Sequence, residues 1–126
     1  MMAIRLGYAM LAALPIFTAS LAAHGAGDAA QGEKLYGSYC AGCHALDENR
    51  VGPAHRGVFG RKAGSAPDYD YSAALLKSTV VWSEDTLDRW LTNPEKFIPG
   101  QKMNVSIARQ ADRADLIAYL KAQAKK

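Results

Sequence analysis

Apolar side chains recur at three- and four-residue steps along several stretches of the chain, a spacing that places them on one face of a helix. The first stretch begins at Asp28, and Gln31 stands at the spacing of a reciprocal capping partner. The last covers about residues 108–124, with Leu116 and Leu120 in its apolar stripe. Because no alternating apolar run of useful length appears, the pattern predicts an all-α domain.

Two further helices are predicted between these. A short one follows Ser72, and a longer one begins after Ser83 and ends at Asn93-Pro94, since the residue before a proline disfavours helical backbone. Repeated Gly and Pro predict a loop over residues 49–70. A second loop is predicted over residues 94–106.

The first 26 residues have the layout of a secretory signal peptide. Arg5 is their only charge, and an apolar run from Leu6 to Ala23 leads into small residues. We expect cleavage near residues 22–26, which leaves one domain over residues 27–126 that works in the periplasm. An uncleaved membrane anchor is the alternative, although the apolar run is short for a spanning helix and contains Pro15.

The composition indicates a domain that lacks apolar mass of its own. Leu, Ile, Val and Phe make up 18 of the 100 residues from Gly27 onward, under the roughly 20% below which a chain struggles to build a core. The side-chain charge of this part is only +2, which does not fit a disordered chain or a nucleic-acid-binding domain. Two cysteines exclude a disulfide-dense scaffold and a four-cysteine zinc site. A bound group is therefore expected to supply the missing apolar surface.

The segment Cys40-Ala41-Gly42-Cys43-His44 is C-x-x-C-H, the signature of covalent haem attachment. The two cysteines lie one helical turn apart, so that both thiols can reach the vinyl groups along one haem edge. His44 follows directly and can turn its imidazole onto the iron. Ala41 and Gly42 are small and leave room for the porphyrin.

Other interpretations of these five residues fit less well. A thioredoxin-like C-x-x-C belongs near a β-α-β pattern, which the sequence lacks. Zinc would need two more ligands, and only His24 and His55 remain, of which His24 lies near the leader. We therefore predict one haem c, covalently bound through Cys40 and Cys43.

Met103 is the only methionine outside the leader, and it lies in a polar loop just after Pro99-Gly100. A lone methionine often fills gaps in a core, but such a loop is a poor place for core packing. We predict that His44 and Met103 bind the iron, since both residue types are known haem ligands. His55 is the competing candidate for the sixth position.

With these motifs in order, the chain from Asp28 to its C-terminus resembles a class I c-type cytochrome of the mitochondrial cytochrome c and bacterial cytochrome c2 group. The resemblance implies the cytochrome c fold, in which three to five helices wrap around one covalently attached haem c. It also implies that the first and last helices cross, where Gly32 lets them approach closely beside Leu116 and Tyr119.

The resemblance further implies roles for four residues around the haem. The carbonyl of Pro53 is expected to accept the ring N–H of His44, which fixes the tautomer of the ligand. Arg61, Tyr71 and Trp82 are expected to face the haem propionates as donors, because buried carboxylates without donors are costly.

Several positions depart from the usual pattern of this group. His55 replaces a leucine that touches the haem, and Trp90 replaces a tyrosine beside the methionine ligand. Gln101 replaces a threonine that helps hold a propionate. Tyr39 and Glu95 stand where lysines usually ring the haem edge.

The expected function is that of a soluble periplasmic carrier of single electrons. Its donor would be a quinol-oxidising cytochrome bc complex or a periplasmic dehydrogenase, and its acceptor a terminal oxidase or a reductase. We expect a monomer that docks transiently through Lys62, Lys96 and Lys102, with no nucleic acid as partner, and no catalytic activity of its own. The alternatives are a dedicated electron-accepting subunit of a dehydrogenase and a haem sensor with a labile sixth ligand.

Overall fold

The computed structural model describes residues 27–124, so the predicted leader and its cleavage site lie outside the described residues. The helices are α1 (Ala29–Tyr39), α2 (Ala73–Lys77), α3 (Glu84–Thr92), α4 (Pro94–Phe97) and α5 (Gln110–Gln123). No β-strand occurs in this range, where Lys62 and Val81 form an isolated antiparallel bridge. The prediction of an all-α domain is confirmed. None of the helices in residues 27–124 has the length and apolar character needed to span a membrane.

The start of α1 is fixed by Asp28, but its second capping partner differs from the prediction. The Asp28 carboxylate accepts the backbone N–H groups of Ala30 and Gln31. Its own N–H donates to the carboxylate of Asp115 on α5, at 2.8 Å. The reciprocal role predicted for Gln31 is therefore wrong, because the last helix supplies that acceptor.

The first and last helices cross in close contact, as expected for this fold. A Cβ at Gly32 would lie 2.0 Å from the carbonyl oxygen of Asp115, so only glycine permits the approach. Four residues further along α1, the ring of Tyr36 lies with its centroid 5.2 Å from that of Tyr119. Leu116 beside this crossing is 1% exposed and belongs to the core.

Helix α3 packs against α5 and closes the other side of the core. It begins as predicted after Ser83, whose hydroxyl and the side chain of Thr86 form a reciprocal capping box. Its apolar face buries Leu87. The guanidinium of Arg113 on α5 donates to the Asp88 carboxylate at 2.7 Å, and this ion pair fixes the position of α3 along α5.

The prediction of a loop from position 94 to 106 is wrong over the four residues of α4. The side chain of Asn93 caps the turn by accepting the backbone N–H of Lys96. Pro94 stands at the first helical position, where the missing proline N–H has no hydrogen bond to lose. One asparagine therefore ends α3 and begins α4.

The last helix begins at Gln110, two residues later than predicted. The backbone N–H of Ile107 donates to the carbonyl of Leu91 at 2.8 Å. The carbonyls of Ile107 and Ala108 both accept from the Arg113 guanidinium. These contacts bind residues 107 and 108 to α3 and to the side chain of Arg113, and they keep both residues outside the helix.

Candidate functional site

The C-x-x-C-H segment forms one further turn at the end of α1. The N–H of Cys40 donates to the carbonyl of Tyr36 at 2.9 Å. The carbonyl of Cys40 in turn accepts from Cys43 at 3.1 Å and from His44 at 2.9 Å. Cys40 is half-buried and Cys43 is exposed. The two sulfurs and the imidazole therefore project from a single turn, which suits attachment to one porphyrin.

Burial, followed by the neighbouring Cys43, raises the pKa of the Cys40 thiol to about 12. At neutral pH the unattached residue is an S–H group. Because metal binding needs a thiolate, the environment of Cys40 does not favour a metal site at this thiol.

His44 is buried, and its imidazole is held at one edge by the loop that follows. Its Nδ1 lies 2.8 Å from the carbonyl oxygen of Pro53. Because a carbonyl can only accept, Nδ1 carries the hydrogen. Burial lowers the pKa of His44, and the bond to Pro53 opposes this in part. The ring is therefore neutral, with the lone pair of Nε2 free to bind a metal.

Gly52 allows the backbone to pass directly against this ring. A Cβ at Gly52 would lie 2.1 Å from Cε1 and 2.6 Å from Nε2 of His44. The N–H of Gly52 donates to the carbonyl of Cys43 at 2.8 Å, which ties the turn to the attachment segment. The Gly52-Pro53 pair thus acts on His44 in two ways, by close contact and by a hydrogen bond.

His55 is placed against His44. The two imidazole rings stack with centroids 3.9 Å apart and planes 19° from parallel. A hydrogen bond of 3.0 Å joins Nδ1 of His55 to the hydroxyl of Tyr36. Burial, with smaller contributions from His44 and Arg61, lowers the pKa of His55 to about 3. Two ligands on opposite sides of one iron cannot have stacked rings, so this arrangement does not suit His55 as the partner of His44.

Arg61 and Trp82 are brought together by backbone pairing of their segments. The N–H of Gly60 donates to the carbonyl of Trp82 at 2.7 Å, and the N–H of Trp82 donates to that of Arg61 at 2.9 Å. Trp82 is buried. Nη2 of Arg61 donates to the Ala54 carbonyl at 3.0 Å. Its Nε is buried and finds no acceptor within residues 27–124.

An unpaired buried donor on a guanidinium is costly and calls for an acceptor. A carboxylate meets this need, because it accepts charge-assisted hydrogen bonds from arginine. Tyr71 offers a further donor, since its hydroxyl accepts the N–H of Ala66 at 3.0 Å and retains its own hydrogen. These donors fit the propionates of a haem, because the unpaired Nε of Arg61 and the hydroxyl hydrogen of Tyr71 can both be accepted by a carboxylate.

The Met103 loop is held by two polar side chains. The carboxylate of Glu95 accepts the N–H of Gly100 at 3.0 Å and the side-chain amide of Gln101 at 3.2 Å. The amide oxygen of Gln101 then accepts the N–H of Met103. Gly100 takes a φ of +88°, which favours glycine at the turn. The side chain of Met103 is half-buried and packs against the core.

The roles of Glu95 and Gln101 in this loop were not predicted, since in the sequence both residues stand only as departures from the pattern of the family. The only local sequence signal for the contact of Glu95 with Gly100 is a carboxylate shortly before the Pro99-Gly100 turn. The stacking of His55 on His44 was also missed, and no local signal predicts it.

The chain is similar to known cytochromes c. The family model for cytochrome c matches residues 29–124. A cytochrome c of Sesamum indicum is 46% identical over 99 residues, which is 75% of this chain and 89% of that protein. A cytochrome c type-1 of Ascaris suum is 43% identical over 103 residues, or 79% and 92% of the two chains. The solved structure of cytochrome cH from Methylobacterium extorquens is 45% identical, with a TM-score of 0.73 over 76% of this chain and 99% of that one.

The family match spans both cysteines and His44. The haem c that this family carries is bound covalently in this chain through Cys40 and Cys43, as the C-x-x-C-H motif predicts. The helical fold, the attachment segment and the matched sequence agree, and the chain belongs to the cytochrome c family.

Proposed function

We propose that this electron-transfer cytochrome is a freely diffusing carrier of the periplasm, in which His44 and Met103 would bind the haem iron. The observation that carries the proposal is the state of His44, whose neutral ring gives its Nδ1 hydrogen to Pro53 and keeps the Nε2 lone pair free. Met103 is the only methionine from position 27 onward, and its loop is fixed by side-chain hydrogen bonds.

The haem supplies a one-electron Fe(III)/Fe(II) couple. The chain contributes two ligands of unlike chemistry: a nitrogen of His44 held by Pro53, and a thioether of Met103. The methionine thioether favours the reduced state and raises the potential. With both residues bound, the iron would have no open position for O₂ or another exchangeable ligand. We infer on this ground that the protein carries electrons and is not an enzyme in its own right.

Arg61, Tyr71 and Trp82 would compensate the propionate charges. Arg61 contributes the buried Nε that has no acceptor in the described part of the chain, and Tyr71 contributes a hydroxyl hydrogen. Trp82 would contribute its indole N–H. These donors lower the cost of burying carboxylates, and they hold the surroundings of the iron fixed while its charge changes by one unit.

The proposed partners are acidic redox proteins: a quinol-oxidising bc complex or a periplasmic dehydrogenase as donor, and a terminal oxidase or a reductase as acceptor. Lys62, Lys96 and Lys102 are exposed and form the proposed contact surface, whose charge is reduced by Glu95 next to Lys96 in the sequence. Such a surface steers encounter more than it adds affinity, so we propose transient docking by a monomer. The layout of the first 26 residues, typical of a signal peptide, supports export to the periplasm.

The proposal is tested on haem-loaded protein recovered from the periplasm after expression of the whole chain. Its mass is expected to show cleavage near residues 22–26. Its bimolecular oxidation by an acidic redox partner is expected to slow roughly tenfold between low and high ionic strength. At low salt Lys96→Ala is expected to lower this rate, whereas Lys34→Ala on α1 serves as the control and leaves it unchanged. A rate independent of ionic strength would contradict the docking proposal, and an intact leader would contradict the proposed cleavage and free diffusion.

A further inference from the structure

A second histidine lies beside the proposed ligand, and the proposed electron transfer makes no use of it. The ring of His55 lies nearly flat on the ring of His44, with 3.9 Å between centroids. Backbone pairing fixes this arrangement, because the N–H of His55 donates to the carbonyl of Ala45 at 3.0 Å. The next residue, Arg56, donates in the same way to Leu46 at 2.8 Å. The segments that carry His44 and His55 are therefore hydrogen-bonded to each other, which keeps the two rings in contact.

The other contacts of His44 do not fully fix the plane of its imidazole ring. The hydrogen bond from Nδ1 to Pro53 fixes one direction in the plane of the ring. Gly52 limits the approach on the Cε1 side. The ring is attached through Cβ, and a turn about the Cβ–Cγ bond changes its plane. A flat neighbour in contact with its face opposes such a turn, and His55 is that neighbour.

His55 is itself held by the helix crossing. Its Nδ1 is joined to the hydroxyl of Tyr36 at 3.0 Å, and the two rings meet edge to face with centroids 5.6 Å apart. Tyr36 is buried on α1 and packs on Tyr119 of α5. A leucine at position 55 could fill the same space, but no hydrogen bond could orient it. The contacts thus run from α5 through Tyr36 and His55 to the face of His44.

We propose that His55, anchored by the hydroxyl of Tyr36, is a positioning residue that sets the plane of the His44 imidazole and thereby tunes the reduction potential of the haem. This inference rests on the proposed role of His44 as axial ligand. The plane of an axial imidazole decides which iron orbitals it overlaps. A turn of the ring therefore changes the distribution of unpaired spin over the haem in the ferric protein.

The test compares the wild-type holoprotein with His55→Leu, Tyr36→Phe and the double variant. Proton NMR of the ferric form reports the hyperfine shifts of the haem methyl groups and of the His44 ring, and redox titration reports the potential. We expect His55→Leu to change the order or spread of the methyl shifts and to move the potential. Tyr36→Phe, which removes one hydroxyl, is expected to cause a smaller change in the same direction. In the His55→Leu background, Tyr36→Phe is expected to add nothing.

Asp28→Ala is the control, because it removes the cap of α1 and destabilises the protein without touching His44. It is expected to leave the methyl shifts and the potential unchanged. Unaltered shifts in His55→Leu, or a Tyr36→Phe effect that persists without His55, would overturn the positioning role. If His55→Leu does not fold, an unaltered spectrum of Tyr36→Phe overturns it alone. A wild-type spectrum without a histidine-methionine signature would instead overturn the ligand assignment, so that the two failures are distinguishable.

Discussion

Gly52→Ala is expected to abolish the native ligation of the iron by His44. The added methyl group would lie 2.1 Å from Cε1 and 2.5 Å from Nδ1 of the ring, far inside van der Waals contact. Either the imidazole tilts away from its bond to Pro53 or the turn that carries this proline shifts. A displacement of about 1 Å is enough to disrupt a positioned functional group. The optical spectrum of the haem-loaded variant measures the effect as the fraction of low-spin iron.

Gly37→Ala is the matched control, since it is exposed on α1 outside the attachment segment and a Cβ there meets nothing within 4 Å. We expect this variant to keep the wild-type spectrum. A low-spin, methionine-ligated spectrum in Gly52→Ala would show that His44 is not held where the structure places it.

Gly32→Ala is expected to cause a large loss of stability, although it adds only one methyl group. Its Cβ would lie 2.0 Å from the carbonyl oxygen of Asp115 and 2.9 Å from Cβ of Tyr119. Both helices would have to move apart over their whole contact, because backbone cannot yield as a flexible side chain can. We expect the free energy of unfolding to fall by about 3 kcal/mol or more, measured by denaturant titration of the holoprotein.

Gly37→Ala on the same helix supplies the comparison. It is exposed, and a Cβ there has open space, so the better helix propensity of alanine is expected to raise stability by up to about 1 kcal/mol. Equal stability of Gly32→Ala and the wild type would contradict the close crossing of α1 and α5.

The helices could be predicted where local signals act alone. Asp28 and Ser83 are cap residues, and both begin helices where the sequence places them. The N–H of Asp28 is bound by Asp115, 87 positions away, so no local spacing could identify this partner. The short helix α4 was missed because Asn93 both ends one helix and begins the next.

Some residues of the candidate site could likewise be predicted from local sequence, and others could not. The attachment residues form one contiguous motif, and the single methionine outside the leader singles out Met103. By contrast, Glu95 acts on the loop through Gln101, and His55 acts through its contact with another imidazole. Such roles depend on how distant or folded-back segments meet, and they come from the structure.

The ferric optical spectrum of the holoprotein tests most directly whether Met103 binds the haem iron, because an Fe(III)–thioether bond gives a weak long-wavelength band. We predict this band in the wild-type protein and its loss in Met103→Ala, with His44 still bound. A wild-type spectrum that lacks the band and is high-spin or bis-histidine, or a band that survives in Met103→Ala, would contradict this prediction.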